Sequence, residues 1–187
     1  MREDDELDQV ARAQRDRAAF APLYDRYVPV VYHYCHRLLG QRDAAEDATS
    51  ETFTKALAQL HRFQPRAGSR SFRGWLFTIA HHAAMDILRR RPALPLAEGW
   101  EGIDPSQLPD EQLIAHESAR DLHAALQDLN DDQRAVMYLR LAGLTGVEIA
   151  EVMHRTPQAI KSLQFRAIAQ LRLRLRDETR GNHAARS

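Results

Sequence analysis

The chain has 187 residues, 44% of them hydrophobic and 28% charged, and its formal net charge at neutral pH is zero. This length allows one or two small domains, and no apolar run approaches the ~18 residues that a membrane span needs, so we expect no membrane insertion. The acidic N-terminus has no apolar stretch behind it, which argues against a signal peptide. The single cysteine, Cys35, excludes an internal disulfide framework and is typical of a cytoplasmic protein.

The zero net charge hides a segregation of charge along the chain. Acidic residues concentrate at 1–8, 43–51 and 98–132, whereas basic residues concentrate at 62–91 and 154–176. Two separate basic blocks predict two contacts with a polyanion, and the acidic blocks predict surfaces that face something else.

Residues that favour helices dominate the first half of the chain. Four helices are predicted there, near 8–19, 20–39, 43–60 and 71–90. Gly40 is placed to end the second helix, and Asp43 with Glu46 has the spacing of a capping box at the start of the third. The intervening loop at 61–71 carries Pro65, Gly68 and several basic side chains.

A proline-rich segment at 92–112 interrupts the helical pattern. It holds four of the eight prolines, which remove backbone donors and break helices. No run of alternating Val, Ile and Thr between turn signals is present, so strands are not expected. We therefore predict an all-α fold of two small helical domains, at 8–91 and 113–177, joined by a flexible linker at 92–112.

Helix signals are sharper in the second half. Four helices are predicted there, near 112–128, 131–142, 145–153 and 156–176, followed by a disordered tail at 177–187. Asn130 with Gln133 and Thr145 with Glu148 have capping-box spacing. Thr156 can cap the last helix, with a proline at its first position, where a missing N–H costs nothing.

The stretch Leu144–Arg176 has the outline of a helix-turn-helix, in which a short helix and a tight turn precede a long helix that reads the DNA major groove. From His154 to Arg176 there are six Lys or Arg and no Asp or Glu. The alternative is an ordinary helical hairpin with a solvated basic face.

On a helical wheel the long helix has two distinct sides. Ile160, Leu163 and Ala167 share one side and are expected to pack on the preceding helix. The other side is expected to contact DNA and consists of Gln158, Lys161, Ser162 and Phe165, with Arg166 at its edge. Lys and Arg suit guanine or phosphate, Gln suits adenine, and Phe can touch a thymine methyl. The alternative for Phe165 is packing beneath the end of the helix.

The helix near 71–90 also has two sides. Its predicted core stripe consists of Phe72, Leu76, Ile79, Ala83 and Ile87. Its other side carries Trp75, Thr78, His82 and Arg89. An aromatic ring with cationic and polar neighbours, beside a basic loop, is typical of single-stranded nucleic-acid binding. The alternative is that Trp75 belongs to the core.

Nothing in the sequence assembles an active site. His33, Cys35 and His36 lie close together, but a zinc site needs four ligands and no second cluster is present. Gly-rich phosphate loops and the common hydrolase motifs are absent from the sequence. We expect no metal, no cofactor and no enzymatic activity.

Several motifs in order carry a resemblance to a known family. They are FAPLYDRYVPVVYHYCHRLLG, DAAEDATSETFTKAL and SFRGWLFTIAHHAAMDILRRR in the first half, and LNDDQRAVMYLRLAGLTGVEIAEVMHRTPQAIKSLQFRAIAQLR in the second. Residues 16–176 resemble an extracytoplasmic-function (ECF) sigma factor of bacterial RNA polymerase. The resemblance implies that the chain binds core RNA polymerase, directs it to particular promoters and is regulated by an anti-sigma factor.

The resemblance also implies roles for residues of the first domain. Core polymerase docking is implied for Asp47, Glu51, Thr52 and Phe53, beside Ser50, which replaces a usual Gln. Contacts with the minus-ten element, including a base extruded from the non-template strand, are implied for Phe63, Arg66, Ser69, Arg70, Arg73, Trp75, His82 and Arg89. Family members often have Asn at the position of His82.

In the second domain the long helix resembles the family's reader of the minus-thirty-five element. Lys161, Ser162, Arg166 and Ala167 match the family pattern. His154 stands where the turn usually has Gly, which predicts a left-handed backbone at some cost in strain. Leu163 replaces a common Arg, so the promoter sequence is expected to differ from the family average.

Two other functions fit parts of the sequence. One is a free-standing helix-turn-helix transcriptional regulator, which would pair across a palindrome as a symmetric dimer. The other is a helical adaptor that binds only proteins. The linker, the acidic helix and the two basic blocks favour a sigma factor over both.

Overall fold

The computed structural model describes residues 3–65, 71–90 and 124–184 of the protein. These residues form α-helices and short 3-10 helices, with no β-strand among them, which confirms the predicted all-α class. The predicted linker at 92–112 lies outside the described residues, as does most of the helix predicted near 112–128. The predicted domain boundaries there stay predictions.

The described residues of the first half form four α-helices. They are α1 (Glu3–Arg15), α2 (Ala21–Leu39), α3 (Arg42–Gln59) and α4 (Phe72–Arg90), with 3-10 helices at Arg17–Phe20 and Leu60–Arg62. Helices α2, α3 and α4 pack against one another, and α1 lies across the two 3-10 helices and α4. Buried aromatic residues fill the space between them, including Tyr27, Phe72 and Phe77.

The ends of these helices match the prediction at one place and differ at two. Gly40 ends α2 with a left-handed backbone at φ 68°, as predicted. The first predicted helix divides instead at Asp16, whose side chain accepts a hydrogen bond from the Ala18 N–H and starts a 3-10 helix. The predicted capping box of Asp43 and Glu46 is wrong, because α3 already begins at Arg42, whose guanidinium binds the Glu46 carboxylate at 2.9 Å.

The second half contains α5 (Asp131–Leu141), α6 (Gly146–Val152) and α7 (Pro157–Ala184), preceded by a helical segment at 124–127. Both predicted capping boxes are confirmed, at the starts of α5 and α6. The Thr156 hydroxyl accepts a hydrogen bond from the Ala159 N–H at 3.2 Å and caps α7 as predicted. The predicted end of this helix at 176 is wrong, since the backbone stays helical to Ala184 and no proline follows to stop it.

Helices α6 and α7 form the predicted helix-turn-helix. The turn between them places His154 at φ 51°, and it is the only described residue other than glycine with a positive φ. This confirms the left-handed backbone predicted for a position that usually holds glycine. Ile149 and Val152 of α6 and Ile160 of α7 are fully buried where the two helices meet.

The two halves pack against each other. Helix α6 lies against α4, and α5 lies against α2. Gly74 of α4 is buried at this contact, where an added Cβ would lie 3.4 Å from the Cγ of Glu148. The residues predicted to contact DNA therefore fall into two groups, one on the free side of α7 and one beside the contact between α4 and α6.

Candidate nucleic-acid and polymerase interfaces

Helix α7 presents an exposed aromatic ring on its outer side. Phe165 is 76% exposed, whereas Ile160, Leu163 and Ala167 on the opposite side are at most 7% exposed. The alternative in which Phe165 packs beneath the helix end is therefore excluded for this structure. The ring is therefore accessible to a partner from solvent.

The polar residues predicted to read DNA surround this ring. Gln158, Lys161, Ser162 and Arg166 are all exposed. The Ser162 hydroxyl donates to the Gln158 carbonyl at 3.0 Å, and the Arg166 Nε donates to the Ser162 carbonyl at 3.3 Å. Lys161 and Arg166 thus place two exposed cationic side chains beside the Phe165 ring.

Trp75 of α4 packs partly into the core. Its ring centroid lies 5.1 Å from that of Phe63 and 5.6 Å from that of Phe72. Phe63 is 3% exposed, which corrects its implied role as a DNA contact, because a buried ring offers no stacking surface. Arg66, Ser69 and Arg70 lie outside the described residues.

Helix α1 holds the start of the basic loop. The Gln14 side-chain amide donates to the Leu60 carbonyl at 2.9 Å and to the Phe63 carbonyl at 2.8 Å. These two hydrogen bonds could not be predicted from the sequence, because they join residues that are far apart in the chain and Gln14 belongs to no recognisable motif.

The two arginines of α4 that were assigned to the minus-ten element differ in their surroundings. The Arg73 guanidinium lies over the Tyr27 ring, 5.9 Å from its centroid, and is partly buried. Arg89 is exposed and pairs with Asp86 one turn earlier. Arg73 is therefore held against α2, whereas Arg89 stands in solvent.

His82 stacks on His154 across the two halves of the chain. Their ring centroids are 5.2 Å apart and the rings are inclined by 10°. The pKa of His82 lies below its ordinary value, because burial disfavours the charged form and His154 adds to that effect. The His82 side chain remains exposed to solvent beside this stack.

The neighbouring His81 is a core residue that sequence reasoning did not identify. Its Nδ1 lies 2.8 Å from the Tyr34 hydroxyl, and the side chain is buried. Burial lowers the pKa of His81 to about 4, with smaller contributions from His82 and His154. The imidazole is therefore neutral at neutral pH and can accept the Tyr34 hydroxyl proton in a hydrogen bond.

We expect His81 to make the stability of the protein depend on pH. Its folded pKa of about 4 lies below the unfolded value of 6.5, so the unfolded chain binds more protons between these values. Stability should be complete above the unfolded pKa and fall as pH falls, by ~2 kcal/mol between about pH 7.5 and about pH 5. Urea unfolding at the two pH values measures this loss. His81→Gln, which keeps an acceptor for Tyr34, should flatten the dependence, and an equal loss in that variant would contradict the assignment.

Of the four residues of the acidic helix α3 that were assigned to polymerase docking, two are exposed and two are buried. Asp47 and Glu51 are exposed, and Glu51 forms an ion pair with Lys55 at 2.6 Å. Thr52 is fully buried, and its hydroxyl donates to the Ala48 carbonyl at 2.6 Å. This corrects the implied role of Thr52, which offers no atom to a partner in this structure.

Phe53 forms the floor of a groove between α2 and α3. The groove has a volume of about 650 Å³. The Tyr24 and Phe20 rings meet Phe53 edge to face at centroid distances of 4.8 and 6.4 Å, and Tyr24 is 46% exposed. Ser50 lines the same groove. Phe53 is 6% exposed, so it shapes this surface rather than projecting from it.

Comparison with known proteins decides the family. The sigma-70 region 2 model matches residues 23–92, and the sigma-70 region 4 model matches residues 119–171. The ECF RNA polymerase sigma factor BldN of Streptomyces coelicolor is 36% identical over 93% of this chain and 67% of its own length. The chain belongs to the ECF sigma factors. It is an alternative sigma factor, which directs RNA polymerase to start transcription at particular promoters.

Further relatives agree with this family and with the fold. The ECF RNA polymerase sigma factor SigX of Bacillus subtilis is 30% identical over 82% of this chain and 81% of its own length. The sigma factor RpoE in complex with the anti-sigma factor NepR, from Bartonella quintana, has a similar fold, with a TM-score of 0.62 and 24% identity. That similarity covers 84% of this chain and 96% of RpoE.

Membership in the sigma factors decides against the free-standing regulator and the adaptor. Region 2 covers the groove, the acidic helix and α4, and region 4 covers the helix-turn-helix.

Within the described ranges no helix is long and apolar enough to cross a membrane, and no three potential metal ligands come together. Cys35 is fully buried, and burial raises the pKa of its thiol to about 12.

Proposed function

We propose that this sigma factor binds core RNA polymerase through α2 and α3, and promoter DNA through α4 and α7. The division into domains at 8–91 and 113–177 gives each half its own contact. The observation that carries the DNA assignment is the exposed Phe165 ring among Lys161 and Arg166 on an otherwise well-packed helix. A protein with this function acts in the cytoplasm beside the chromosome, and its role is to direct an enzyme rather than to be one.

The groove between α2 and α3 supports the polymerase contact. Its aromatic walls offer apolar surface, and Asp47 and Glu51 on the adjoining side of α3 add negative charge. Apolar burial supplies affinity, whereas charge complementarity supplies orientation and selects the partner. A basic and apolar surface of the polymerase fits this combination.

We propose that the residues of α7 bind duplex DNA and that the residues of α4 bind DNA whose strands have separated. Gln158, Lys161, Ser162, Phe165 and Arg166 would read duplex edges in the major groove at the minus-thirty-five element. Arg73, Trp75, His82 and Arg89 would hold the minus-ten element once its strands separate. Unstacking a base costs a few kcal/mol, and stacking and pocket contacts recover this cost. Basic side chains near phosphates make both steps weaken as salt rises.

An anti-sigma factor is the proposed regulator. The solved RpoE of Bartonella quintana is in complex with the anti-sigma factor NepR. Region 2 and region 4 of this chain match the same kind of protein, so a partner that covers their binding surfaces would block both polymerase and promoter.

Selection from a randomised duplex pool tests the proposal. The purified chain, core polymerase alone and the two together are each allowed to enrich sequences from the pool. We expect only the mixture to enrich two separated motifs, because docking orders both DNA-binding halves on one duplex. Enrichment of a single palindrome by the purified chain, bound as a dimer, would contradict the proposed division of contacts.

A further inference from the structure

Helix α1 reaches the rings beneath Trp75, although it lies outside the part of the chain that matches sigma-70 region 2. That match begins at residue 23, whereas α1 ends at Arg15, so the match assigns α1 no role. The Gln14 amide of α1 donates to the carbonyls of Leu60 and Phe63. Leu60 begins the 3-10 helix that follows α3, and Phe63 comes directly after that helix. The two hydrogen bonds therefore fix the backbone at both of its ends.

The Phe63 ring supports Trp75 from the side of the core. Phe63 and Phe72 are buried, whereas Trp75 is partly exposed. The Trp75 ring centroid lies 5.1 Å from that of Phe63 and 5.6 Å from that of Phe72, and the two phenylalanine rings meet edge to face at 5.8 Å. Rings at these separations attract one another in preferred orientations. The orientation of Trp75 therefore depends on where Phe63 is held.

A second polar contact fixes α1 on the same group of rings. The Tyr27 hydroxyl donates to the buried Glu6 carboxylate, and the Tyr27 ring meets Phe72 edge to face at 5.5 Å. Burial and, next, the hydrogen bond to Glu6 raise the pKa of Tyr27 to about 12, so the hydroxyl keeps the proton that it donates. Arg26 adds a cation 3.7 Å from the same carboxylate oxygen. Gln14 follows Glu6 by about two turns, or about 12 Å along the helix, so this contact holds Gln14 within reach of the backbone that it binds.

We propose that Gln14 is a positioning residue for binding of the minus-ten element, because it fixes the backbone of Phe63, whose ring holds Trp75 in place for an unpaired base. The proposal rests on the proposed role of Trp75. A base that stacks on a ring already in place gains the stacking free energy without first ordering that ring. Gln14 acts through Phe63 rather than on the base, because its amide is committed to two backbone carbonyls.

The packing of α1 does not depend on Gln14. Glu6, Val10 and Ala13 are buried, so three other side chains hold the inner side of the helix against the first half. Gln14 is exposed, and removing its amide leaves no cavity. The replacement Gln14→Met keeps an unbranched side chain of similar length but has no N–H to donate. This replacement therefore removes the two hydrogen bonds and leaves α1 in place.

Capture of a single strand tests the proposal in the complex with core polymerase. The probe is an oligonucleotide that carries the minus-ten motif recovered from the duplex selection. Gln14→Met should weaken its binding by about two- to tenfold, the range that corresponds to the loss of one or two hydrogen bonds. Binding of a duplex that carries only the minus-thirty-five motif should stay unchanged, because α7 belongs to the other half of the chain.

Gln9 gives a matched control on the same helix. Its side-chain amide donates to the Ala19 carbonyl at 2.6 Å, in the 3-10 helix Arg17–Phe20 rather than next to Phe63. Gln9→Met removes the same kind of group from α1, and it should leave capture of the single strand unchanged. Equal weakening by Gln9→Met and Gln14→Met would show that general loosening of α1 is responsible, which contradicts the proposal.

The mobility of the Trp75 ring gives a readout that a purely stabilising role would not change. Trp75 and Trp100 are the two tryptophans of the chain, so Trp100→Phe makes the fluorescence report Trp75 alone. In that background Gln14→Met should speed the anisotropy decay of the folded chain and increase quenching by acrylamide, whereas Gln9→Met should change neither. Unchanged mobility of Trp75 in Gln14→Met would overturn the proposal, whatever the effect of the replacement on stability.

Combining two replacements shows whether Gln14 acts through Trp75. Trp75→Leu keeps an apolar side chain over the core but removes the stacking ring, so it should weaken capture of the single strand. Adding Gln14→Met should then cause no further loss, because residues that act through one group are not additive. Additive losses would show that Gln14 acts on the strand directly, against the proposal.

The same pair of variants separates failure of the positioning role from failure of the proposed function. If Trp75→Leu alone leaves capture unchanged, the proposed role of Trp75 is wrong and the positioning role falls with it. If Trp75→Leu weakens capture but Gln14→Met does not, the positioning role alone is refuted.

Discussion

Replacing Asp47 and Glu51 together by lysine should weaken association with core polymerase by about a hundredfold or more, since like-charge contacts at an interface cost several kcal/mol. Both carboxylates are exposed on α3 beside the aromatic groove. The fold should survive, because exposed ion pairs such as that of Glu51 with Lys55 contribute little to stability. Competition with a labelled sigma factor for core polymerase measures the change.

The matched control reverses two other exposed carboxylates of the first half. Asp5 and Asp8 of α1 are exposed, and Asp5→Lys with Asp8→Lys changes the net charge by the same amount. This control should retain association if position on α3 matters more than total charge. Equal loss in both double variants, with unchanged helicity, would show that the α3 assignment is wrong.

Truncating Phe165 or Lys161 to alanine should cost ~1–3 kcal/mol of specific duplex binding by the polymerase complex for each lost base contact. Neither change should lower stability, because both side chains are exposed. If Lys161 contacts phosphate instead of a base, its loss should weaken binding to all sequences and reduce the salt dependence. Titrations of the selected promoter and of a scrambled duplex at several salt concentrations distinguish these cases.

Two further leucines of α7 give the controls for these variants. Leu173 is 65% exposed further along the helix, so Leu173→Ala removes a comparable apolar side chain and should leave promoter binding unchanged. Leu163 is 7% exposed, and Leu163→Ala should destabilise the fold by about 2–5 kcal/mol. Promoter binding that survives Phe165→Ala in full would contradict the assignment of the outer side of α7.

The helix-turn-helix was predictable in detail because its signals are local. Thr145 with Glu148 and Thr156 with Pro157 fix both helix starts within a few residues. The positive φ of His154 was predicted from the family resemblance, because the turn usually has Gly at this position. Helical periodicity likewise separated the buried side of α7 from the side that carries Phe165.

Features that depend on contacts between distant residues were not predictable in this way. The burial of Phe63 beside Trp75 and the packing of His81 on Tyr34 depend on how four helices meet, which no spacing along the chain encodes. The stack of His82 on His154 depends further on how the two halves pack. Even the local capping signal at Asp43 failed, because Arg42 begins the helix earlier and binds the carboxylate that the cap required.

Transcription from the selected sequences tests the central claim most directly. Linear duplexes that carry the two enriched motifs are transcribed by core polymerase with and without the purified chain, and the transcript ends are mapped. We predict transcripts that begin at one fixed distance downstream of the minus-ten motif, only when the chain is present, and that disappear when either motif is scrambled. Equal transcription by core polymerase alone, or tight specific binding by the chain with no transcript, would contradict the account.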